Sequence, residues 1–147
     1  DLLVAAGIQI LHIVGGKSEF EPVKQSGYLR IKYCDRMDLA LDASDFAISR
    51  AGATTVAELT AIGIPGLYLP YSVGNGEQAH NLKTVIAAGG GITCADKEFD
   101  REFVLRELVP LLSNSKKLKA MAAAAKSVGV TNGTARLYEL VAGVLTK

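Results

Sequence analysis

One segment, "SDFAISRAGATTVAELTAIGIPGLYLP" (44–70), limits the fold more than any other. It opens on a short apolar run, Asp45-Phe46-Ala47-Ile48-Ser49, and turns through Gly52. From Thr55 the apolar residues Val56, Leu59 and Ile62 recur at helical spacing until Gly63, and Ile64 to Pro70 is apolar again. Strand, helix and strand in such short order form a crossover unit, which makes the two strands parallel and the connection right-handed.

The alternation extends in both directions. Ile8 to Val14 is a β-branched run closed by Gly15-Gly16, which predicts a central strand covered on both faces. Ser18 with Glu21 predicts a short capped helix limited by Pro22, Tyr28 to Tyr33 a strand, and Met37 to Ala43 a short helix. Beyond the crossover, Tyr71 to Gly76 reads as a loop, Gln78 to Ala88 as a helix ended by Gly89-Gly90-Gly91, and Ile92 to Ala95 as a strand. Asp100 is placed to cap a helix running towards Leu112, bent or ended by Pro110, and Lys116 to Lys126 and Thr134 to Leu145 complete the helices. The expected fold is α/β, a doubly wound parallel sheet in one domain over 1–147. Asp1 to Gly7 reads as the last turns of a helix that begins earlier.

Composition narrows the function classes. Lys plus Arg number 16 against 15 Asp plus Glu, so there is no basic field to draw nucleic acid. Hydrophobic residues reach 49%, yet Gly, Pro or charge interrupts every run short of a membrane span. Cys34 and Cys94 lie far apart without a C-x-x-C pair, which argues against a zinc site or disulfide scaffold and predicts two buried thiols. His12 is expected in the core and His80 on the surface, and neither has metal-ligand spacing. Lys17 follows two glycines but the full P-loop pattern is absent, and no Asp-x-Asp metal motif occurs, so no cofactor is expected.

Ligands of doubly wound sheets sit beyond the carboxyl ends of the strands. There this sequence places Gly15-Gly16-Lys17, Cys34-Asp35, Arg50 to Thr55, and Tyr71 to Gln78. Of these the third turn says most. Gly52 permits close backbone approach, and the helix starting near Thr54 offers free amides and a positive dipole end to a phosphate, with the hydroxyl of Thr54 or Thr55 as a further donor. Glu58 falls one turn in, where a carboxylate can accept from both hydroxyls of a ribose. The competing explanation is a capping box, Thr55 at the N-cap and Glu58 at N3, which needs no ligand. On the next helix Gln78 and Asn81 share a face, and their amides suit sugar hydroxyls; the competing explanation, the stronger one for this stretch taken alone, is a flexible loop leading into a solvated polar face. Tyr33, at a strand end, is either a core residue or a stacking platform.

The stretch 44–91, with "SRAGATTVAE" and "GNGEQAHN" at this separation, and the opening "ILHIVGGK", resembles the carboxyl-terminal domain of the MurG-like glycosyltransferases of family 28. The likeness covers nearly the whole chain. It implies half of a two-domain GT-B enzyme of peptidoglycan synthesis, peripheral on the cytoplasmic face of the bacterial membrane. This half would hold UDP-N-acetylglucosamine, and the amino-terminal half an undecaprenyl-linked lipid acceptor and the general base, so no catalytic residue is assigned to this chain. By position, the Cys34 backbone would read uracil with Tyr33 beside the base, Thr55 would meet a phosphate, and Glu58 the ribose. The Ala53 amide, Gln78 and Asn81 would contact the sugar. Glu77 departs from a pattern with two adjacent glutamines. The family's other glycine-rich loop would precede Asp1, so this chain is expected to lack its first strand and to bind donor weakly by itself. Three further readings share the architecture: a diacylglycerol glycosyltransferase, an epimerase of UDP-N-acetylglucosamine, and a non-catalytic donor-binding subunit.

Overall fold

The computed structural model describes residues 2–71 and 76–145. A short helix α1 (Leu2–Ala5) leads into β1 (Ile10–Ile13), β2 (Val23–Gln25), β3 (Tyr28–Ile31), α2 (Met37–Asp42) and β4 (Ala47–Ser49). The crossover follows as α3 (Ala53–Ile62) and β5 (Gly66–Tyr68), then α4 (Glu77–Ala87) and β6 (Gly91–Thr93). A 3-10 turn at Asp96–Glu98 precedes α5 (Arg101–Phe103), which continues through a π-helical stretch, Val104–Leu108, into α6 (Val109–Leu112). The last elements are α7 (Ser115–Ser127) and α8 (Gly133–Leu145).

The strands pair as two three-stranded sheets, β1-β3-β2 and β4-β5-β6. All pairs are parallel except β2 with β3, which is antiparallel. The expected α/β class and the crossover at 44–70 are thus present, but the helix expected at Ser18 to Glu21 is not. The Ser18 hydroxyl accepts from the Phe20 amide instead, a local turn, and Val23–Gln25 folds back on β3 through Ser26-Gly27, with Gly27 at φ +75°. A two-residue turn with glycine at positive φ closes a hairpin, and the pairing satisfies backbone groups that a helix cut short by Pro22 would leave open.

Burial is uneven. Among the described residues every buried side chain lies at or after Ala51. β5 is buried along its whole length. Its Tyr68 packs with Val56, Leu59, Leu82, Val85 and Ala125 on one face, while Leu67 and Leu69 pack with Cys94 and Leu108 on the other. β1, predicted to be covered on both faces, is only half-buried at Ile10 and Ile13 and exposed at Leu11 and His12. His12 is therefore no core residue; its Nδ1 lies 2.8 Å from the Tyr28 hydroxyl. Cys94 is a buried thiol as expected, whereas Cys34 is half-buried.

Helix ends follow the sequence closely. Asp100 accepts from the Phe103 amide at 2.8 Å, and Asn114 from the Lys117 amide at 3.0 Å. Pro110 sits near the start of α6, directly after the π-helical stretch, where its missing N–H removes one bond from the regular ladder.

Tyr68 is fully buried, and among the described residues its hydroxyl has no hydrogen-bond partner; burial also pushes its pKa up. A buried polar group left unpaired costs more than its removal. Tyr68→Phe is expected to stabilise the fold by about 1 kcal/mol in chemical denaturation; a loss of stability would show that the hydroxyl is bonded in solution.

Candidate functional site

The site begins where β4 ends. Arg50, Ala51 and Gly52 carry the chain from the sheet edge into α3, with Gly52 as N-cap in an extended conformation at φ −64° and ψ 144°. The first intrahelical bond runs from the Val56 amide to the Gly52 carbonyl. The amides of Ala53, Thr54 and Thr55 therefore precede any intrahelical acceptor, and glycine supplies no side chain to cap them. They point outward from the positive end of the helix dipole, the arrangement that favours a phosphate.

This register overturns the capping-box explanation. A capping box requires Thr55 at the N-cap and Glu58 at N3, but α3 starts at Ala53, which puts Thr55 at N3 and Glu58 a further turn inside. Glu58 is exposed, on the side of α3 away from buried Val56, Leu59 and Thr60, and no residue among those described bonds its carboxylate. Three or four residues separate it from Thr55 and Thr54, so all three share a face.

The start of α4 meets this turn through two side chains. The Gln78 side-chain oxygen accepts from the Ala51 amide at 3.3 Å and from the Tyr71 amide at 2.9 Å. The Asn81 side-chain nitrogen donates to the Ala51 carbonyl at 3.0 Å. Ala51, fully buried, is held at both its backbone groups. The partners fix the polarity of each amide, since a backbone N–H only donates and a carbonyl only accepts. Gln78 must turn its oxygen inward and present its NH2 outward; Asn81 must do the reverse. Together they offer a ligand one donor and one acceptor at set positions.

Arg50, Tyr71 and Asp96 join the cluster without having been singled out in the sequence. Arg50 Nη1 donates to the Leu69 carbonyl at 3.1 Å and to Asp96 Oδ1 at 2.6 Å, and the guanidinium carbon lies 4.4 Å from the Tyr71 ring centroid. The only hint was an Arg-x-Gly turn after a strand; the partners are remote in sequence.

Of the expected site residues, Gly52, Ala53, Thr54, Thr55 and Glu58 lie on one helix start, and Gln78 and Asn81 meet it through Ala51. Glu77 is the exposed first residue of α4, next to His80, which is exposed as expected. Tyr33 and Cys34 follow β3, in the other sheet, and no hydrogen bond or ring contact among the described residues links them to the cluster. Tyr33 is 70% exposed, which removes the core alternative for it. Residues 72–75 of the loop expected at Tyr71 to Gly76 lie outside the described residues. Among those described, no group of acidic, His or Cys side chains is arranged to hold a metal ion. Burial first, then the charges of Glu98, Asp100 and Asp96, push the Cys94 thiol pKa up, which keeps it protonated and inert.

Known proteins are similar to this chain in sequence and in architecture. A UDP-N-acetylglucosamine–N-acetylmuramyl-(pentapeptide) pyrophosphoryl-undecaprenol N-acetylglucosamine transferase of Clavibacter sepedonicus is 52% identical over 139 residues, 95% of this chain and 38% of the relative. The like-named protein of Mycolicibacterium smegmatis is 43% identical over 94% of the chain and 37% of its own length. The chain thus spans little more than a third of these relatives. The crystal structure of Acinetobacter baumannii MurG superposes with a TM-score of 0.72 at 26% identity, covering 79% of this chain and 33% of that one. The spinosyn forosaminyltransferase SpnP shares the fold, with a TM-score of 0.64 at 22% identity over 91% of this chain and 34% of its own. The α/β Rossmann-like half of a GT-B glycosyltransferase is the architecture common to them. Residues 2–137 match the glycosyltransferase family 28 C-terminal domain, and to that family the chain belongs.

Proposed function

We propose that this chain is the donor-binding half of an inverting glycosyltransferase that moves N-acetylglucosamine from UDP-N-acetylglucosamine to the muramyl-pentapeptide lipid of peptidoglycan synthesis. The observation that carries the reading is the polarised Gln78 and Asn81 pair set beside the uncapped start of α3. A diphosphate at the free amides of Ala53 to Thr55 puts the sugar against α4 and the ribose against Glu58. Gln78 then donates to a sugar oxygen while Asn81 accepts from a hydroxyl, and Cys34 and Tyr33 receive the uracil.

In this mechanism the acceptor's C4 hydroxyl displaces UDP, and negative charge builds on the departing diphosphate. The helix start stabilises that charge as it develops, with dipoles already oriented and no reorganisation at the moment of reaction. The general base and the lipid site belong to the amino-terminal half. No helix among the described residues is long and apolar enough to cross a membrane; the reading makes the enzyme peripheral, on the cytoplasmic face. The strand order supports one further element. β1 and β4 each end a sheet, and a doubly wound sheet of the common order seats one parallel strand between such neighbours, with its phosphate loop at the same edge.

Titration with UDP, UDP-glucose and UDP-N-acetylglucosamine, followed by amide-resolved NMR, tests the reading. Shifts at 33–35, 52–58 and 76–81 with preference for the N-acetyl sugar are expected. Glu58→Ala, a ribose contact, is expected to weaken UDP and UDP-N-acetylglucosamine in parallel, by about ten- to a hundredfold, the loss of hydrogen bonds to a charged acceptor. Equal affinity for the three ligands, or an unchanged Glu58→Ala, would reject the assignment.

A further inference from the structure

We propose that Arg50 is a positioning residue for the sugar end of this site, acting through Tyr71 and Ala51 on the orientation of the Gln78 amide; the proposal rests on the donor-half reading above. Arg50 follows β4, yet it touches the ends of the other two strands in its sheet. Its guanidinium bonds the Leu69 carbonyl just after β5, pairs with Asp96 in the turn that follows β6, and lies over the Tyr71 ring. A planar cation does all three at once: one edge donates while the face stacks.

The two backbone amides that hold the Gln78 oxygen belong to Ala51 and Tyr71. Arg50 reaches both. Ala51 is its neighbour across one peptide bond, and Tyr71 is the aromatic ring beneath its guanidinium. Arg50, Tyr71, Gln78 and Ala51 thus form a closed circuit in which each member restrains the next. The outward NH2 of Gln78 is only as well aimed as the two amides gripping its oxygen, and Arg50 ties those amides to the sheet edge. Arg50 need not touch donor to set this aim.

The circuit predicts a local effect, not a global one. The Arg50 and Asp96 side chains are 44% and 48% exposed, and an ion pair this open adds little to the stability of a fold. Losing it should loosen the Ala51 and Tyr71 amides while leaving the unfolding midpoint nearly unchanged. Lysine keeps the charge towards Asp96 but has neither the fork nor the flat face, so it should restore the circuit only in part.

The variants Arg50→Met, Arg50→Lys and Asp96→Asn test this with two readouts. In ligand-free protein, hydrogen exchange at the Tyr71 and Ala51 amides should quicken in Arg50→Met by about fivefold or more, the scale of one exposed ion pair and one cation–ring contact, with smaller changes in the other two variants. In titrations, the preference for UDP-N-acetylglucosamine over UDP should shrink by a similar factor, the sugar's share of the affinity falling more than that of UDP. Unchanged exchange at both amides in Arg50→Met would overturn the proposal, and so would a parallel loss of UDP and UDP-N-acetylglucosamine, which marks general destabilisation. A wild-type chain without sugar preference would instead sink the donor-half reading, and the ligand-free exchange would still decide what Arg50 does to Gln78.

Discussion

Gln78→Glu is expected to remove the sugar's share of donor affinity while leaving the fold and the UDP share in place. The inward oxygen of Gln78 accepts from two backbone amides, and a carboxylate accepts the same two bonds in the same geometry, made stronger by charge. Only the outward group changes, from a donor NH2 to an oxygen that, in the proposed complex, would face the oxygens of the sugar. A site built to donate that can no longer do so loses the bond and gains repulsion. UDP-N-acetylglucosamine should therefore bind about ten- to a hundredfold more weakly, close to the level of UDP, with the unfolding midpoint unchanged or slightly raised. Calorimetric titration of both ligands decides it: an equal loss for UDP, or no loss for either, refutes the role given to Gln78. Asn81→Asp makes the opposite contrast, because its carboxylate would face the Ala51 carbonyl and set two acceptors against each other.

The second large effect concerns stability. Gly90→Ala and Gly129→Ala are each expected to destabilise the fold by about 3 kcal/mol or more. A Cβ on Gly90 would lie 2.5 Å from the Ala125 Cα and 2.6 Å from its nitrogen; on Gly129 it would lie 2.3 Å from the Thr60 carbonyl oxygen. These neighbours are backbone atoms of α7 and α3, so no side chain can rotate aside, and the segment that carries each glycine must move off the helix it packs on. For a chain of this size the loss corresponds to a fall of about 6 to 12 °C in the unfolding midpoint. Gly143→Ala is the control. It sits within α8 with nothing near its missing Cβ, and alanine there should be neutral or slightly stabilising. A fall for Gly90→Ala or Gly129→Ala no larger than in the control would mean that the helices pack more loosely than described.

The parts of this molecule legible in its sequence are those governed by local rules. The crossover at 44–70 was readable because helical spacing in Val56, Leu59 and Ile62 sits between two apolar runs and stops at Gly63, which adopts φ +87° as a helix end requires. The cap at Asp100 follows the same logic. At Ser18 to Pro22 a capping spacing competed with a hairpin signal, Ser26-Gly27 between Val23–Gln25 and Tyr28–Ile31, and pairing with β3 won because a strand with a partner satisfies its backbone. In the site, residue types and spacing nominated Gly52, Glu58, Gln78 and Asn81. They could not say which atom of each amide turns inward, since that is set by Ala51 and Tyr71, 27 and 7 residues from Gln78. The role of Arg50 was illegible for the same reason: its carbonyl, ring and carboxylate partners, Leu69, Tyr71 and Asp96, lie beyond the ends of β5 and β6, and no local pattern announces them.

Uneven burial gives the two ends of a bound nucleotide different thermodynamics. The segment before Ala51, which carries Tyr33 and Cys34, has no deeply packed anchor among the described residues, and such regions open locally at small free energy. The turn that would meet the diphosphate and sugar rests on fully buried Ala51, with buried Val56 and Leu59 beneath it. In the proposed donor complex the sugar end would meet groups already in place, whereas the base must first quiet the ground it lands on. Part of uracil's contact energy would then appear as order in β1 and β3, and donor binding would stiffen residues well beyond those it touches.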